Sequence, residues 1–410
     1  MNFPSLHLRP ILSTLARHKI AASLIVAEIA LTFAIVCNAV FLIVARLDAA
    51  DAPTGLAESE LIRLQLAPIG ASARRNAHAQ TALDLQTLRA LPGVRKVTLT
   101  NQLPFAGSSS FSSVALPPNV DRPVFSPSTY FAGEDFIAAT GVRLLEGRDF
   151  QAGDYVDAAD VIEKQPAAHL PGVILNRAAA RKLFGEASAV GRTISIFDAT
   201  STVVGVIDTL PPPNVKTQET GTILLPMRVD YPNAEFLLRV DPARRDEILK
   251  AAVAALDQVG PGRIVQNRDR YDSMRDAYYR SDRTMALLLA SVCAALLVVT
   301  ALGIVGLASF WVQQRTRMIG TRRALGATRG QILRYFQAEN LLLSGIGVLL
   351  GIVGAYAINA LLMSHYEIAR LPLPYLPIGA ALLLALGQLA VFGPARRAAA
   401  VPPVVVMRGA

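Results

Sequence analysis

Four long apolar stretches divide this chain and decide what it can fold into. They occupy residues 20–47, 283–312, 338–363 and 375–392. A helix needs about 20 mostly apolar residues to cross roughly 30 Å of hydrocarbon. We interpret the first stretch as a retained anchor rather than a signal peptide, because its apolar core is long and no clear small-residue cleavage site follows it. The sequence therefore predicts four transmembrane helices.

The basic residues predict which side of the membrane each segment occupies. Residues 1–19, 313–337 and 393–410 together hold twelve basic residues and no acidic residue. Loops rich in Lys and Arg stay in the cytoplasm. We therefore expect these three segments to be cytoplasmic, with the extracytoplasmic domain at residues 48–282 and a short external loop at 364–374.

Charge also limits the class of partner. The chain carries a net charge of +9, which by itself would suit nucleic acid or anionic lipid. The extracytoplasmic domain, however, holds 28 acidic and 25 basic residues. Because this domain has no basic excess, the charge distribution argues against nucleic acid as a partner and leaves membrane lipid.

Strand and helix patterns alternate within the extracytoplasmic domain. Residues 61–66 and 94–100 show the period-two pattern of strands. Residues 81–91 are predicted to form a helix that ends at Pro92 and Gly93. Asp241 and Pro242 are well suited to begin another helix, over residues 242–259, and a strand is expected at 262–266. The predicted fold class is an α-helical membrane protein with a large α+β domain between its first two membrane helices.

Two further features of this domain are predicted. One lobe would combine residues 58–125 with 215–270, and a second lobe would hold residues 126–214. Residues 271–282 have helical character and run without a breaker into the second apolar stretch. The combined helix would be about 40 residues, or roughly 60 Å, long and would serve as a stalk.

Motifs of common catalytic sites are absent from the sequence. It contains no GxxxxGK[ST], HExxH or GxSxG pattern, and its five histidines are scattered. The two cysteines, Cys37 and Cys293, lie in apolar stretches, so the extracytoplasmic domain cannot form a thiol site. Four aspartates lie close together but lack the EF-hand pattern, and we interpret them as a solvated loop rather than a metal site: Asp149, Asp154, Asp157 and Asp160. The chain is predicted to be non-catalytic, with no metal or cofactor of its own.

The 313–337 loop is the most informative cytoplasmic segment. Its helical pattern continues through Met318, Ile319, Arg322 and Leu325, and Gly326 stands where a helix favours positive φ. Thr328 and Gln331 have the spacing of a capping box that begins the next helix. The short basic helix is either an anchor on lipid phosphates or a docking element for a cytosolic partner.

The sequence of this loop resembles a known family. The run RTRMIGTRRALGATRGQILRYFQAEN resembles the coupling segment of MacB/FtsX-like permeases, and the tail GPARRAAAVPPVVVMR resembles the end of those proteins. Within the extracytoplasmic domain, SPSTYFAGEDFIAATGVRLLEGRDF and GVILNRAAARKLFGEASAVGRTISIFDATSTVVGVI are similar to the MacB-type periplasmic core domain. The resemblance covers nearly the whole chain.

The resemblance implies a permease subunit of an ABC transporter of the MacB-like mechanotransmission type, in a bacterial inner membrane. It would act in export or efflux, as a homodimer or heterodimer, with ATP and Mg²⁺ on a separate cytosolic ATPase. A periplasmic adaptor and an outer-membrane channel are further implied partners. The residues expected to contact the ATPase are Met318, Ile319, Arg322, Arg323, Leu325 and Gly326. Met318 stands where the family usually has Glu, which is a departure that would suit a degenerate half of a heterodimer.

Three other functions remain open at this point. One is an FtsX-like transducer that controls a cell-wall hydrolase, and another is a lipoprotein-release permease. The third is a passive membrane receptor, which the coupling-segment motif disfavours.

Two features of the apolar stretches are candidates for a role. Small residues let helices approach closely, and the third stretch contains four glycines, which would line either a dimer seam or a contact within one chain: Gly345, Gly347, Gly351 and Gly354. Glu28 is an acid well inside the first stretch. Such acids are functional candidates by default, although a neutral, hydrogen-bonded Glu28 is an equal alternative.

Overall fold

The computed structural model describes residues 19–68, 77–107, 109–163, 170–197, 199–215, 221–229, 234–260, 263–366 and 369–400. The chain divides into two compact units. The helical unit comprises Met1–Asp51 and Ser281–Ala410, and the core unit comprises Ala52–Arg280. The predicted basic residues Arg9, Arg17 and Arg408, and the end of the family-like tail, lie outside the described residues.

The described residues form ten α-helices. In chain order they are α1 (Lys19–Asp51), α2 (Ala77–Arg89), α3 (Phe136–Thr140), α4 (Ala158–Glu163), α5 (Arg177–Phe184), α6 (Arg245–Val259), α7 (Tyr271–Gln314), α8 (Thr316–Ala324), α9 (Arg329–Tyr366) and α10 (Tyr375–Ala400).

The strands belong to the core unit. In chain order they are β1 (Leu61–Pro68), β2 (Val94–Thr100), β3 (Val114–Ala115), β4 (Ser128–Phe131), β5 (Leu144–Gly147), β6 (Val156–Asp157), β7 (Gly172–Asn176), β8 (Thr193–Ile196), β9 (Ala199–Ile207), β10 (Thr222–Leu225), β11 (Met227–Arg228), β12 (Glu235–Val240) and β13 (Arg263–Arg270).

Among the described residues, four helices are long and apolar enough to cross a membrane: α1, α7, α9 and α10. They pack around one apolar cluster that includes Phe33, Trp311, Phe336 and Leu383. Each is longer than the apolar stretch that predicts it, because polar flanking residues continue the helix. The predicted continuity of residues 271–282 with the second stretch is confirmed, since α7 runs unbroken for 44 residues, or roughly 66 Å at 1.5 Å per residue.

The first lobe of the core unit is a four-stranded antiparallel sheet in the order β13-β1-β12-β2. Helices α2 and α6 pack on this sheet, and Leu88, Phe236 and Ile248 lie in the shared apolar core. The predicted cap at Asp241 is confirmed, because Asp241 accepts a hydrogen bond from the Ala243 amide at 3.0 Å. The first three predicted residues, Pro242–Arg244, form a 3-10 turn, and the α-helix α6 begins after it at Arg245. Strand β13 extends beyond the predicted residues 262–266, because its edge position tolerates the polar residues that follow.

The second lobe is a mixed sheet of seven strands in the order β3-β8-β9-β7-β10-β4, with β5 paired to β9. Strands β7 and β9 are parallel, as are β10 and β4. Val173 and Leu175 face one apolar cluster and Ile174 faces another, so β7 is buried on both faces. This arrangement accounts for the continuous apolar run of β7.

The predicted boundary between the lobes is wrong at three strands. We expected residues 58–125 and 215–270 in the first lobe, but β3 and β10 belong to the seven-stranded sheet, and β11 pairs with β6. Strand β10 pairs in parallel with β4, from Thr222 opposite Ser128. Pairing between strands so far apart in sequence leaves no local pattern, so periodicity alone could not place them.

Candidate functional site

Helix α8 and the start of α9 form the predicted coupling segment. Helix α7 ends at Gln314, and α8 begins at Thr316 after a kink at Arg315. Helical hydrogen bonds continue across the kink, from the Arg315 amide to the Trp311 carbonyl at 3.1 Å and from the Ile319 amide to the Arg315 carbonyl at 3.0 Å. The chain therefore changes direction at Arg315 while its helical hydrogen bonds continue.

A Schellman motif ends α8. Gly326 has φ +98°, as its predicted position after a helix requires. Its amide donates to the Arg323 carbonyl at 3.1 Å, and the Ala327 amide donates to the Arg322 carbonyl at 3.0 Å. These two bonds define the motif and satisfy the last carbonyls of the helix. The prediction for Gly326 is confirmed.

The predicted capping box at the start of α9 is also confirmed. The Thr328 amide donates to Gln331 Oε1 at 2.9 Å, and the Gln331 amide donates to Thr328 Oγ1 at 3.3 Å. Together with the Schellman motif, this reciprocal pair fixes the turn between α8 and α9 at both ends. The segment is thus a braced loop.

The six residues predicted to contact an ATPase divide into an inner and an outer set. Ile319 is buried in the apolar cluster of the helical unit, and Arg323 Nη1 donates to the Ala399 carbonyl at 3.1 Å. The side chains of Met318 and Leu325 are 37% and 82% exposed, respectively. Arg322 is exposed, and its guanidinium lies 5.1 Å from the centre of the Tyr335 ring.

A small cleft lies beside the outer set. It has a volume of about 70 Å³ and is lined by residues of α8 and α9 that include Met318, Arg322, Gln331 and Tyr335. An exposed leucine, an exposed arginine and a neighbouring apolar cleft form a surface that suits a protein contact. Gly326 is exposed, and a Cβ at this position would have no described neighbour within 4 Å. Gly326 therefore contributes only backbone to this surface.

An ion pair that the sequence prediction misses lies beneath this surface. Arg315 Nη1 lies 2.9 Å from Glu339 Oε1 and 2.7 Å from Oε2, and both side chains are buried. The Arg315 guanidinium also lies 5.5 Å from the centre of the Trp311 ring. The sequence-based prediction names Glu28 and not Glu339 as an intramembrane acid, because Glu339 stands at the edge of the third apolar stretch. The signal that could have identified Glu339 is its place near the end of the family-like coupling run.

The glycines of the third apolar stretch pack within the chain. A Cβ at Gly347 would lie 2.8 Å from Ile29 Cγ2, and one at Gly351 would lie 2.8 Å from Phe33 Cβ. A Cβ at Gly354 would lie 3.3 Å from that of Ala34. These three glycines therefore let α9 approach α1. Around Gly345, the described residues leave open space within 4 Å.

Glu28 lies against a glycine of α7. A Cβ at Gly303 would stand 2.6 Å from each carboxylate oxygen of Glu28, so the absence of a side chain there makes room for the acid. Further along the same helix pair, the hydroxyls of Thr32 and Thr300 are 2.8 Å apart. Glu28 thus lies at a close packing contact between α1 and α7.

The four clustered aspartates do not converge on a common point. Asp154 pairs with Arg148 at 2.6 Å and also accepts the Gln151 amide at 2.8 Å. Asp149 accepts the Phe150 amide at 2.7 Å. Among the residues that the structure describes, no group of three or more His, Cys, Asp or Glu side chains is arranged to hold a metal.

Comparison with known proteins covers both units. The profile described as MacB-like periplasmic core domain matches residues 26–256, and the profile described as FtsX-like permease C-terminal matches residues 290–403. The solved periplasmic region of MacB from Actinobacillus actinomycetemcomitans is 15% identical, covers 54% of this chain and 94% of that chain, and has a TM-score of 0.32.

Curated relatives include export proteins. The macrolide export ATP-binding/permease protein MacB of Chromobacterium violaceum is 28% identical over 300 residues, which are 70% of this chain and 43% of that protein. The pyoverdine export ATP-binding/permease protein PvdT of Pseudomonas syringae pv. syringae is 29% identical over 297 residues, or 68% and 43%. The chain spans less than half the length of these relatives. Since the core-domain profile alone matches more than half of the chain, this protein belongs to the MacB-like family of ABC transporter permeases of the inner membrane, with a periplasmic α+β core domain between its first two membrane helices.

Proposed function

We propose that this chain couples ATP hydrolysis by a separate cytosolic ATPase to movements of its periplasmic core domain, and that the coupling serves export. The observation that supports this most directly is the surface of α8, where Leu325 is 82% exposed at the C-terminal end of the helix, which the Schellman motif caps. A large apolar side chain held rigidly in water is typical of a binding surface rather than of a free loop.

The bracing of the segment suits the transmission of force. The Schellman motif, the capping box and the buried Arg315–Glu339 pair connect α7, α8 and α9. A push on Leu325 would therefore displace these helices together. Helix α7 would carry the displacement onward, because it is one unbroken helix from Tyr271 to Gln314.

The chemistry of the surface indicates what the ATPase should present. Arg322, Arg329 and Arg334 are exposed and Met318 is half exposed. An apolar pocket for Leu325 with acidic residues at its rim would complement them. Met318, in place of the Glu usual in the family, makes this contact more apolar.

The remaining parts of the proposal follow from charge and from the relatives. Positive flanks favour cytoplasmic termini and a cytoplasmic 313–337 loop. The names of the relatives, which export macrolides and pyoverdine, support the direction of transport. A second permease copy or paralogue would complete the complex, and an adaptor and an outer-membrane channel would extend it across the envelope.

Co-purification tests this proposal. The full chain is extracted in mild detergent, and its partners are identified by mass spectrometry with and without crosslinking from the 313–337 loop. We expect to recover a protein with a phosphate-loop motif, and we expect the Arg322→Glu, Leu325→Asp double variant to lose it together with stimulated ATPase activity. Leu373→Asp is the matched control, since Leu373 is 72% exposed in the predicted external loop.

Two results would overturn the proposal. One is that crosslinking recovers no ATPase. The other is that the double variant retains both the ATPase and its stimulation.

A further inference from the structure

A cleft of about 320 Å³ lies in the core unit, between its two lobes. Helix α2 and strand β2 of the first lobe form one wall. Gly133 and Glu134, which follow β4 of the second lobe, form the other wall together with Arg228 of β11 and with Val229, which packs in the core of the first lobe. Its volume falls at the lower end of the range for small-molecule sites in proteins.

The inner part of the cleft is apolar. Ala82 and Leu85 of α2 face Leu99 of β2 and Val229. Gly133 allows the two lobes to meet closely there, because a Cβ at this position would lie 2.7 Å from the Leu99 carbonyl oxygen. The cleft therefore has an apolar surface that would bind the body of a small organic molecule.

Two threonine hydroxyls along the cleft have no hydrogen-bond partner within the part of the chain that the structure describes. Thr81 and Thr98 are 5% and 1% exposed, and Oγ1 of each is buried and unpaired. More than nine in ten buried polar groups in proteins have a partner, so each exception needs an explanation. Thr81 is on α2, which packs on the face of the sheet that carries Leu99. Thr98 precedes Leu99 in β2, so its side chain lies on the opposite face.

Positive charge is in excess at the outer part of the cleft. Glu134 is shared by Arg89 and Arg228, whose Nη2 atoms each lie 3.5 Å from one of its carboxylate oxygens. These distances are long for charge-assisted hydrogen bonds. Both arginine side chains are 40% exposed. Two guanidinium groups against one carboxylate leave a net positive charge and free donor directions for an incoming anion.

We propose that this cleft binds a small organic molecule with an apolar body and one carboxylate. The carboxylate pairs with Arg89 and Arg228, and the body packs against Leu85 and Leu99. Such an arrangement of a largely apolar pocket with a few convergent polar groups is typical of small-molecule sites. The cleft does not include the residues of the ATPase contact. Evidence for or against ligand binding in the cleft is therefore separate from evidence for the proposed coupling function.

Calorimetry on the full chain in lipid nanodiscs tests the chemical class. The probes are naphthylacetate and its neutral analogue naphthylacetamide, which share one apolar body. We expect the carboxylate to bind about tenfold more tightly, the ratio that one modest charge contact provides. The Arg89→Gln, Arg228→Gln double variant should bind the two probes equally well.

Matched substitutions test the location. Ala82 lines the cleft and Ala79 does not, although both are exposed on α2. We expect Ala82→Trp to abolish binding of naphthylacetate and Ala79→Trp to leave it unchanged.

Three outcomes would overturn the proposal. They are the absence of naphthylacetate binding, equal binding of the amide to the unmodified protein, and binding that survives Ala82→Trp. Because none of these measurements requires an ATPase, their failure is distinguishable from failure of the coupling proposal.

Discussion

Arg315 and Glu339 form a buried ion pair in which a single guanidinium nitrogen, Nη1, lies within 2.9 Å of both carboxylate oxygens. The pair joins the kink after α7 to the third turn of α9. Removing one partner of a buried ion pair leaves the other charge buried and unpaired, which typically destabilises a protein by about 3–5 kcal/mol. The pair should therefore be a structural brace of the coupling segment.

A double-mutant cycle measures this brace. We expect Arg315→Gln and Glu339→Gln each to lower the free energy of unfolding by about 3–5 kcal/mol, and the double variant to lose much less than the sum. The measurement is denaturant unfolding of the full chain in detergent. Strictly additive losses would show that the two side chains do not stabilise each other.

The contact between α1 and α9 should be sensitive to added volume at chosen glycines only. We expect Gly351→Ala to destabilise the chain by about 1–3 kcal/mol, because its Cβ would overlap with Phe33. Gly345→Ala is the matched control on the same helix and should be neutral, since open space surrounds that position among the described residues. Thermal unfolding compares the two variants. If both were equally harmful, helix flexibility rather than packing would explain the loss.

Glu28 and Gly303 should be energetically coupled. In Gly303→Ala the new methyl group displaces the Glu28 carboxylate, which is the mobile end of its side chain, so we expect a loss of about 1 kcal/mol. Glu28→Ala should remove that loss. Gly306→Ala provides the control, because the described residues leave its surroundings open. Unfolding in detergent reports the coupling, and a loss at Gly303 that persists without Glu28 would contradict it.

Transport activity distinguishes a functional role of the Glu28 carboxylate from a role in helix packing alone. Glu28→Gln keeps the size of the side chain and removes its charge. If this variant retains full transport, Glu28 has no role as an intramembrane acid, and the contact with Gly303 is sufficient to explain it.

Two neighbouring aspartates in the core unit should respond to acid in opposite ways. The hydrogen bond from Arg148 lowers the pKa of Asp154 below its ordinary value of 3.8. A lowered folded-state pKa contributes stability above the unfolded value, and this contribution is lost as the pH falls through the folded value. Burial raises the pKa of Asp149 instead.

Thermal midpoints of two variants test this contrast. Asp154→Asn should lower the midpoint at neutral pH, and the difference from the unmodified chain should shrink as the pH falls below about 4. Asp149→Asn should not lower the midpoint at neutral pH, because it removes a charge that burial disfavours. Equal losses in both variants would contradict the opposite pKa shifts.

Local chemistry explains what could be predicted from the sequence. The four membrane helices follow from the length and apolarity of four stretches. Gly326, Thr328 and Asp241 could be assigned because a helix end imposes its own residue preferences within a few positions. Each of these predictions depends on residues that are close in the chain.

The features that escaped prediction depend on distant residues. The partition of β3 and β10 between lobes is set by strand pairing across about a hundred residues. The Arg315–Glu339 pair joins two helices, and the Arg89–Glu134–Arg228 group joins two lobes. Residue spacing in a single sequence carries no record of such contacts.

The second lobe occupies what would otherwise be a hairpin turn. Strands β2 and β12 are antiparallel neighbours, and Thr100 lies directly opposite Glu235. The segment between these two residues thus leaves the first sheet and returns to it at adjacent points. An insertion of this kind can be lengthened, exchanged or shortened while the host sheet keeps its strand order. The first sheet, whose strands connect directly to α1 and α7 along the chain, and the inserted lobe are therefore free to evolve at different rates.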